Sequence, residues 1–202
     1  MSRHPLRHCP AVLALAALCA APLGIGGTAA FTTAALQTHN VITAGSAQII
    51  LADKYQLDGA WVDWPATGID GALPGQTVSK LVYVQNTGSV PVWVRIAATP
   101  TVSVATSPVP DPELYMNYVY VAGETRLDSY NTADWTRGAD GAYYCNAPLP
   151  PGDSTPPLFT GVYLNPDTLD ERFRGGRVEV ALQAQAAQSE NNPGSAVWPP
   201  LP

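Results

Sequence analysis

The chain has 202 residues, of which 46% are hydrophobic and only 13% charged, with 20 Pro, 17 Gly, 3 Cys and 3 His. Soluble domains carry about 25% charged residues, so this surface relies on Ser, Thr, Asn, Gln and Pro. Ten Lys and Arg against 16 Asp and Glu give a net charge of −6, and no basic run exists to neutralise phosphates, which excludes nucleic acid held by counterion release.

At the N-terminus, Arg3, His4, Arg7 and His8 form a short basic head, residues 11–25 are apolar apart from Pro22 and glycines, and small residues fill 24–30. This is the layout of a secretory signal peptide, expected as a cleavable helix over residues 1–30. Its apolar part falls short of the roughly 20 residues that cross a hydrocarbon core, which argues against a retained anchor. Thr28, Ala29 and Ala30 supply the small-x-small cleavage pattern, with Phe31 opening the mature chain. Signal peptidase is therefore an expected partner, and a membrane is met only through the uncleaved signal. Cleavage leaves His39 and Cys145 as the one histidine and one cysteine and moves the net charge to −8. A chain of that charge stays soluble by self-repulsion. Cys145, without an intramolecular partner, reads as a small buried hydrophobe.

The body, residues 31–192, reads as one all-β domain. Val178, Val180, Leu182, Ala184 and Ala186 alternate with Arg177, Glu179, Gln183 and Gln185, the pattern of a half-buried strand. Val82 and Val84 alternate with Leu81 and Tyr83, and Val92, Val94 and Ile96 with Trp93 and Arg95; Asn86-Thr87-Gly88-Ser89 forms the turn between them. Further strands are expected over 47–51, 115–121, 142–145 and 158–164, and another over 33–41. Seven or more short strands separated by turn formers indicate an antiparallel β-sandwich of jelly-roll type. The Pro-rich stretches 103–112 and 148–157 are expected as surface connections, and 193–202 as an extended Pro-rich tail.

Little in the chain supports catalysis. A zinc protease needs two histidines one helical turn apart, and the mature chain has only His39. His39 lies in a Thr/Asn-rich stretch without a nucleophile motif, so neither a Ser-His-Asp set nor a Cys145–His39 pair is supported. A carboxylate pair in an aromatic groove is best matched by Asp63 between Trp61 and Trp64. The simpler expectation is that both tryptophans face the same or nearly the same side and pack on the sheet, with Asp63 solvated. The acidic loops around 128–140 and at Asp167, Asp170 and Glu171 lack the spaced D-x-D-x-D-G pattern, so calcium is only weakly indicated and no cofactor is expected.

Several blocks of the chain resemble the TasA/camelysin family, whose precursors carry SipW-type signal peptides. Gly26-Gly27-Thr28-Ala29-Ala30-Phe31-Thr32 is similar to the family's G-G-T-x-A-x-F junction. Thr43-Ala44-Gly45 matches its T-A-G turn, and residues 73–80 with 84–96 resemble its P-G-D-x-x-x-K … V-x-N-x-G-S-x-x-x-x-V-R-V block. Residues 149–159 and 178–198 are similar to later blocks, so the order is kept from 26 to 198. The resemblance implies an exported jelly-roll domain of the cell surface or biofilm matrix that self-associates, in some relatives into fibres. It also implies strand donation by the new N-terminal segment, here carrying Phe31, Thr33, Ala35, Gln37, His39 and Val41. Other matrix or cell-surface components are expected partners. The chain lacks the Lys-rich insertions of fibre-forming relatives, and the peptidase activity ascribed to camelysin finds no pair of histidines.

The leading expectation is thus a secreted, non-enzymatic structural protein. The alternatives are a surface adhesin or carbohydrate-binding module using Trp61, Trp64 or Trp135, and a camelysin-like metallopeptidase.

Overall fold

A computed structural model describes residues 46–104, 107–173 and 175–190. Eleven strands lie among them: β1 (Ile49–Leu57), β2 (Ala60–Asp63), β3 (Thr77–Asn86), β4 (Val92–Val104), β5 (Ser107–Pro108), β6 (Met116–Ala122), β7 (Thr125–Leu127), β8 (Trp135–Arg137), β9 (Tyr143–Cys145), β10 (Phe159–Leu164) and β11 (Arg177–Gln188). Two antiparallel sheets pack as a sandwich. One has six strands in the order β2-β1-β3-β10-β6-β7; the other is ordered β11-β4-β9-β8, with β5 paired to the far end of β4. No helix among the described residues is long and apolar enough to cross a membrane.

The period-2 alternation read from the sequence builds the inner faces. Ile49 and Leu51 of β1, Val82 and Val84 of β3, Val92, Val94 and Ile96 of β4, and Leu182, Ala184 and Ala186 of β11 meet in one core, closed by Phe159, Trp135 and Tyr143. A second cluster of Val102, Met116, Val162, Leu164 and Leu169 fills the other end of the sandwich. Burying each of the larger side chains contributes about 1.5–3 kcal/mol, so these two clusters hold the sheets together. Phe159 of β10 pairs with Val82 of β3 and Val162 with Val78, so a step of three residues along β10 matches a step of four along β3. The bulge between them lets both Phe159 and Val162 point inward. It needs Gly161, because a Cβ there would lie 2.7 Å from Thr77 Cγ2.

The turn expected at 86–89 is present and is tied down by Asn86, which is wholly buried. Its side-chain Nδ2 donates to the carbonyls of Val90 (2.9 Å) and Leu149 (3.0 Å), and its Oδ1 accepts from Gly88 N–H (2.9 Å). The chain enters and leaves at this end. Ser46 and Ser89 are bonded through Ser46 N–H to Ser89 Oγ (3.0 Å) and Ser89 N–H to Ser46 C=O (2.9 Å), and Ser189 N–H donates to Pro91 C=O (3.0 Å).

Two expectations change. Residues 103–112 are not simply a surface connection: β4 runs on to Val104 and turns back through β5, since the sheet offers pairing partners that outweigh the local prolines. Residues 148–157 form no strand, yet they are more than a connection. Leu149 pairs with Val92 in one sheet, Ser154 bridges to Gln85 in the other, and Leu149 and Thr155 are buried. This segment stitches the two sheets together at the end where the chain enters. Four short elements (β2, β5, β7 and β8) were not expected. The strand expected over 33–41, the signal peptide over 1–30 and the tail over 193–202 lie outside the described residues.

Candidate functional site

The residues singled out in the sequence do not converge. Trp135 is 1% exposed and belongs to the core, its Nε1–H donating to Pro156 C=O at 3.1 Å. Trp61 and Trp64 lie on opposite faces, contrary to the shared facing expected. Alternation continues past the end of β2, so Val62 and Trp64 point into the sandwich while Trp61 and Asp63 point out. Trp61 is 40% exposed. Asp63 binds Lys54 Nζ at 2.7 Å on the solvent side. An aromatic groove around Asp63 is therefore not formed. The cleavage residues Thr28, Ala29, Ala30 and Phe31, and the donor residues Thr33, Ala35, Gln37, His39 and Val41, lie outside the described residues.

Trp64 instead covers a charge pair on the inner face. Lys80 of β3 places Nζ 2.6 and 2.7 Å from the two carboxylate oxygens of Asp53 on β1, and 3.7 Å from the centroid of the Trp64 ring. Tyr55 meets Trp64 edge-on at 6.1 Å. The Lys80 side chain is 5% exposed and that of Asp53 28%. Burial lowers the Lys80 ammonium and raises the Asp53 carboxyl, each toward its neutral form, and their mutual attraction works against both shifts. The sequence carried a signal for this pair: both residues stand at inward parity, Asp53 after Ile49 and Leu51, and Lys80 before Val82 and Val84.

A second polar cluster sits on the outer face of the other sheet. Arg95, 2% exposed, donates to Gln185 Oε1 (2.7 Å), Asp140 Oδ2 (3.1 Å) and Tyr144 Oη (3.1 Å). Tyr144 Oη also donates to Asp140 (2.6 Å), and this bond, more than Arg95, holds the Asp140 carboxyl below its ordinary value. No local signal revealed this cluster, because Arg95 occupies an ordinary outward position that the 138–141 turn happens to cover. Both clusters are internally satisfied, and no buried side-chain nitrogen or oxygen among the described residues lacks a partner.

Cys145 is buried, as expected, with burial raising its thiol. Among the described residues no three His, Cys, Asp or Glu side chains converge as metal ligands.

The feature best suited to function is main chain rather than side chain. β11 is a 12-residue strand at the border of its sheet, paired along its whole length with β4 and with no described strand on its other side. Ser189 N–H bonds Pro91 C=O, so odd-numbered residues of β11 direct their backbone groups to β4. The even-numbered ones, Val178, Val180, Leu182, Ala184 and Ala186, then direct theirs to the open edge. Arg177 and Glu179 pair with each other at 2.6 Å at one end, and the following nine residues of β11 carry no charge and no proline. Soluble sheets ordinarily protect such an edge with lysine, proline or a bulge.

No family model, curated protein or solved structure matches this chain.

The side-chain clusters brace the sandwich, while Val178, Val180, Leu182, Ala184 and Ala186 of β11 direct N–H and C=O groups to a side on which no described strand lies and where a second extended segment can bond.

Proposed function

We propose that this is an exported, non-enzymatic structural protein of the cell surface or biofilm matrix, with a jelly-roll-type sandwich that self-associates by strand addition. The observation that carries the reading is the edge of β11, which carries no charge from Val180 to Gln188 and has no described strand beyond it. The donor is the segment bearing Phe31, Thr33, Ala35, Gln37, His39 and Val41. Residues 31–45 contain no Asp, Glu, Lys or Arg, so such a strand meets the neutral edge without charge repulsion. Main-chain bonds supply affinity and alternate side chains set register. Donor and acceptor lie at different places on one chain, so repetition of the contact is head-to-tail and extends rather than closes. The resemblance to the TasA/camelysin family supports the same reading, and the signal-peptide layout supports export.

Electron microscopy and sedimentation of the chain beginning at Phe31, beside one beginning at Ile42, test the proposal. Filaments or oligomers are expected only from the longer chain. If both remain monomeric across concentration and pH, assembly by this segment is wrong.

A further inference from the structure

The pair of Lys80 and Asp53 brings an amine and a carboxyl together in surroundings that bulk water does not provide. Lys80 Nζ stands 2.6 and 2.7 Å from the two oxygens of Asp53, so the carboxyl carbon between them is within reach of the nitrogen. The Trp64 ring lies 3.7 Å over Nζ, and Tyr55 backs that ring edge-on. Strand pairing fixes the approach. Asp53 stands opposite Val82, and Lys80, two residues from Val82 on the same inner face, is its diagonal neighbour, a separation that a lysine stem spans. Lys80 is enclosed, while the 28% exposure of the Asp53 side chain leaves its carboxyl room to turn and a small molecule a way out. On the outer face Lys54 and Asp63 make a contact of the same length, 2.7 Å, with 26% and 90% of their side chains exposed. What distinguishes the inner pair is therefore its enclosure, not its distance.

We propose that Lys80 and Asp53 condense to an intramolecular amide that ties β3 to β1 covalently. A proton first passes from the ammonium to the carboxylate oxygen it touches, giving a free amine and a carboxylic acid. The carboxyl then turns, the Nζ lone pair attacks Cγ, and the Nζ–Cγ bond forms. One Cγ–O bond breaks, and its oxygen leaves as water with the acid proton and one further proton from Nζ. The amide keeps the last Nζ proton, and no oxidant, cofactor or outside group is consumed. In bulk water such a condensation is held back because both groups stay ionised. Here burial acts on the amine and the carboxyl in the direction of their neutral forms. The fold also holds them in contact, where well-oriented groups reach effective molarities of about 10⁵–10⁸ M. The Trp64 ring favours the ammonium, so folding reaches the ion pair first and the bond forms afterwards. Until then the stability and titration of the freshly folded chain are those of the ion pair. The bond does not depend on self-association. Under the assembly proposed above, though, tension on the segment before Ser46 reaches β1 first, and the amide would keep β1 from being peeled off β3.

Intact-mass spectrometry of the full chain, held folded at neutral pH and then mapped with trypsin after denaturation, tests the proposal. The parent chain is expected to weigh one water less than its sequence, and Lys80→Met and Asp53→Ala to keep their full sequence masses. Trypsin is expected to cut the parent after Lys54 but not after Lys80, leaving the segment that ends at Lys54 joined to residues 55–95. That joint separates the amide from a cyclic imide at Asp58-Gly59, Asp70-Gly71 or Asp140-Gly141, which also loses water but joins no peptides. The cut after Lys54 shows in the same digest that the solvated outer pair stays ionic. The joined peptide is read in the parent chain, so the test stands even if a variant fails to fold. A parent chain of full mass that is cut after Lys80 would overturn the proposal. So would a loss of water that leaves the peptide ending at Lys80 free, or that persists in Lys80→Met.

Discussion

Lys80 and Asp53 sit on neighbouring strands with their charges turned into the sandwich, and this geometry sets the cost of altering either. Removing one partner strands the other in a site that water reaches poorly, which for buried pairs costs about 3–5 kcal/mol. Asp53 keeps some exposure, so Asp53→Ala is expected at or below the lower end of that range. Replacing both, as Asp53→Leu with Lys80→Met, removes the stranded charge and keeps apolar volume beneath Trp64. The double variant is therefore expected to recover most of the loss in urea unfolding. If it is no more stable than Asp53→Ala alone, the stranded charge is not what destabilises. Parity alone put both residues inside, but the sequence could not show that they are adjacent. That depends on β1 and β3 pairing in one register, a contact between segments 27 residues apart.

At the scale of elements, β11 behaves as an edge whose only charged pair lies at one end. Ala181 is exposed and Gln183 half-buried, and both point outward, away from the core. Ala181→Lys with Gln183→Lys would add charge to the acceptor edge while leaving the inward Leu182 and Ala184 in place. Folding stability is expected to change by no more than about 0.5 kcal/mol, as for ordinary surface substitutions. Self-association by sedimentation is expected to fall sharply; undiminished association would remove β11 as the acceptor. This strand was the most legible part of the sequence because its alternation runs unbroken from Val178 to Ala186. The long inner strands β3 and β4 were legible only in part, over 81–84 and 92–96; the rest of β4 breaks its apolar alternation with Thr99, Pro100 and Thr101. β2, β7 and β8 were not legible, because three or four residues at a sheet border carry too little periodicity to separate strand from turn. β5 was hidden for another reason: it contains Pro108, which local chemistry assigns to a connection. The candidate edge was legible as a strand but not as an edge, since sheet order is fixed by contacts remote in sequence.

For the molecule as a whole, three tyrosines packed in or beside the core are expected to set the alkaline limit. Burial raises Tyr118, Tyr143 and Tyr144 above the ordinary tyrosine value, with neighbouring Tyr143 and Glu113 adding to the effect at Tyr118. In the unfolded chain tyrosines release their protons near pH 10 or so. As pH rises through that value the unfolded state therefore holds fewer protons than the folded one, and stability falls. Lys54, held up by its bond to Asp63, acts in the same sense. Cys145, raised by burial, also acts with the tyrosines; Lys80 acts in the opposite sense, because its lowered value makes the folded state release a proton first, but it is one group against five. The melting temperature is thus expected to hold near neutral pH and to drop steeply above about pH 10. Tyr118→Phe isolates the largest contributor. It keeps the stack on Phe159 at 4.4 Å and the edge contact with Tyr143 at 6.2 Å, and gives up only the long bond to Ala98 C=O. At pH 7 the variant is expected to lie within about 1 kcal/mol of the parent chain, the ordinary worth of one hydrogen bond. Its melting curve against pH should fall less steeply on the alkaline side; an unchanged slope would assign the alkaline loss to groups other than Tyr118.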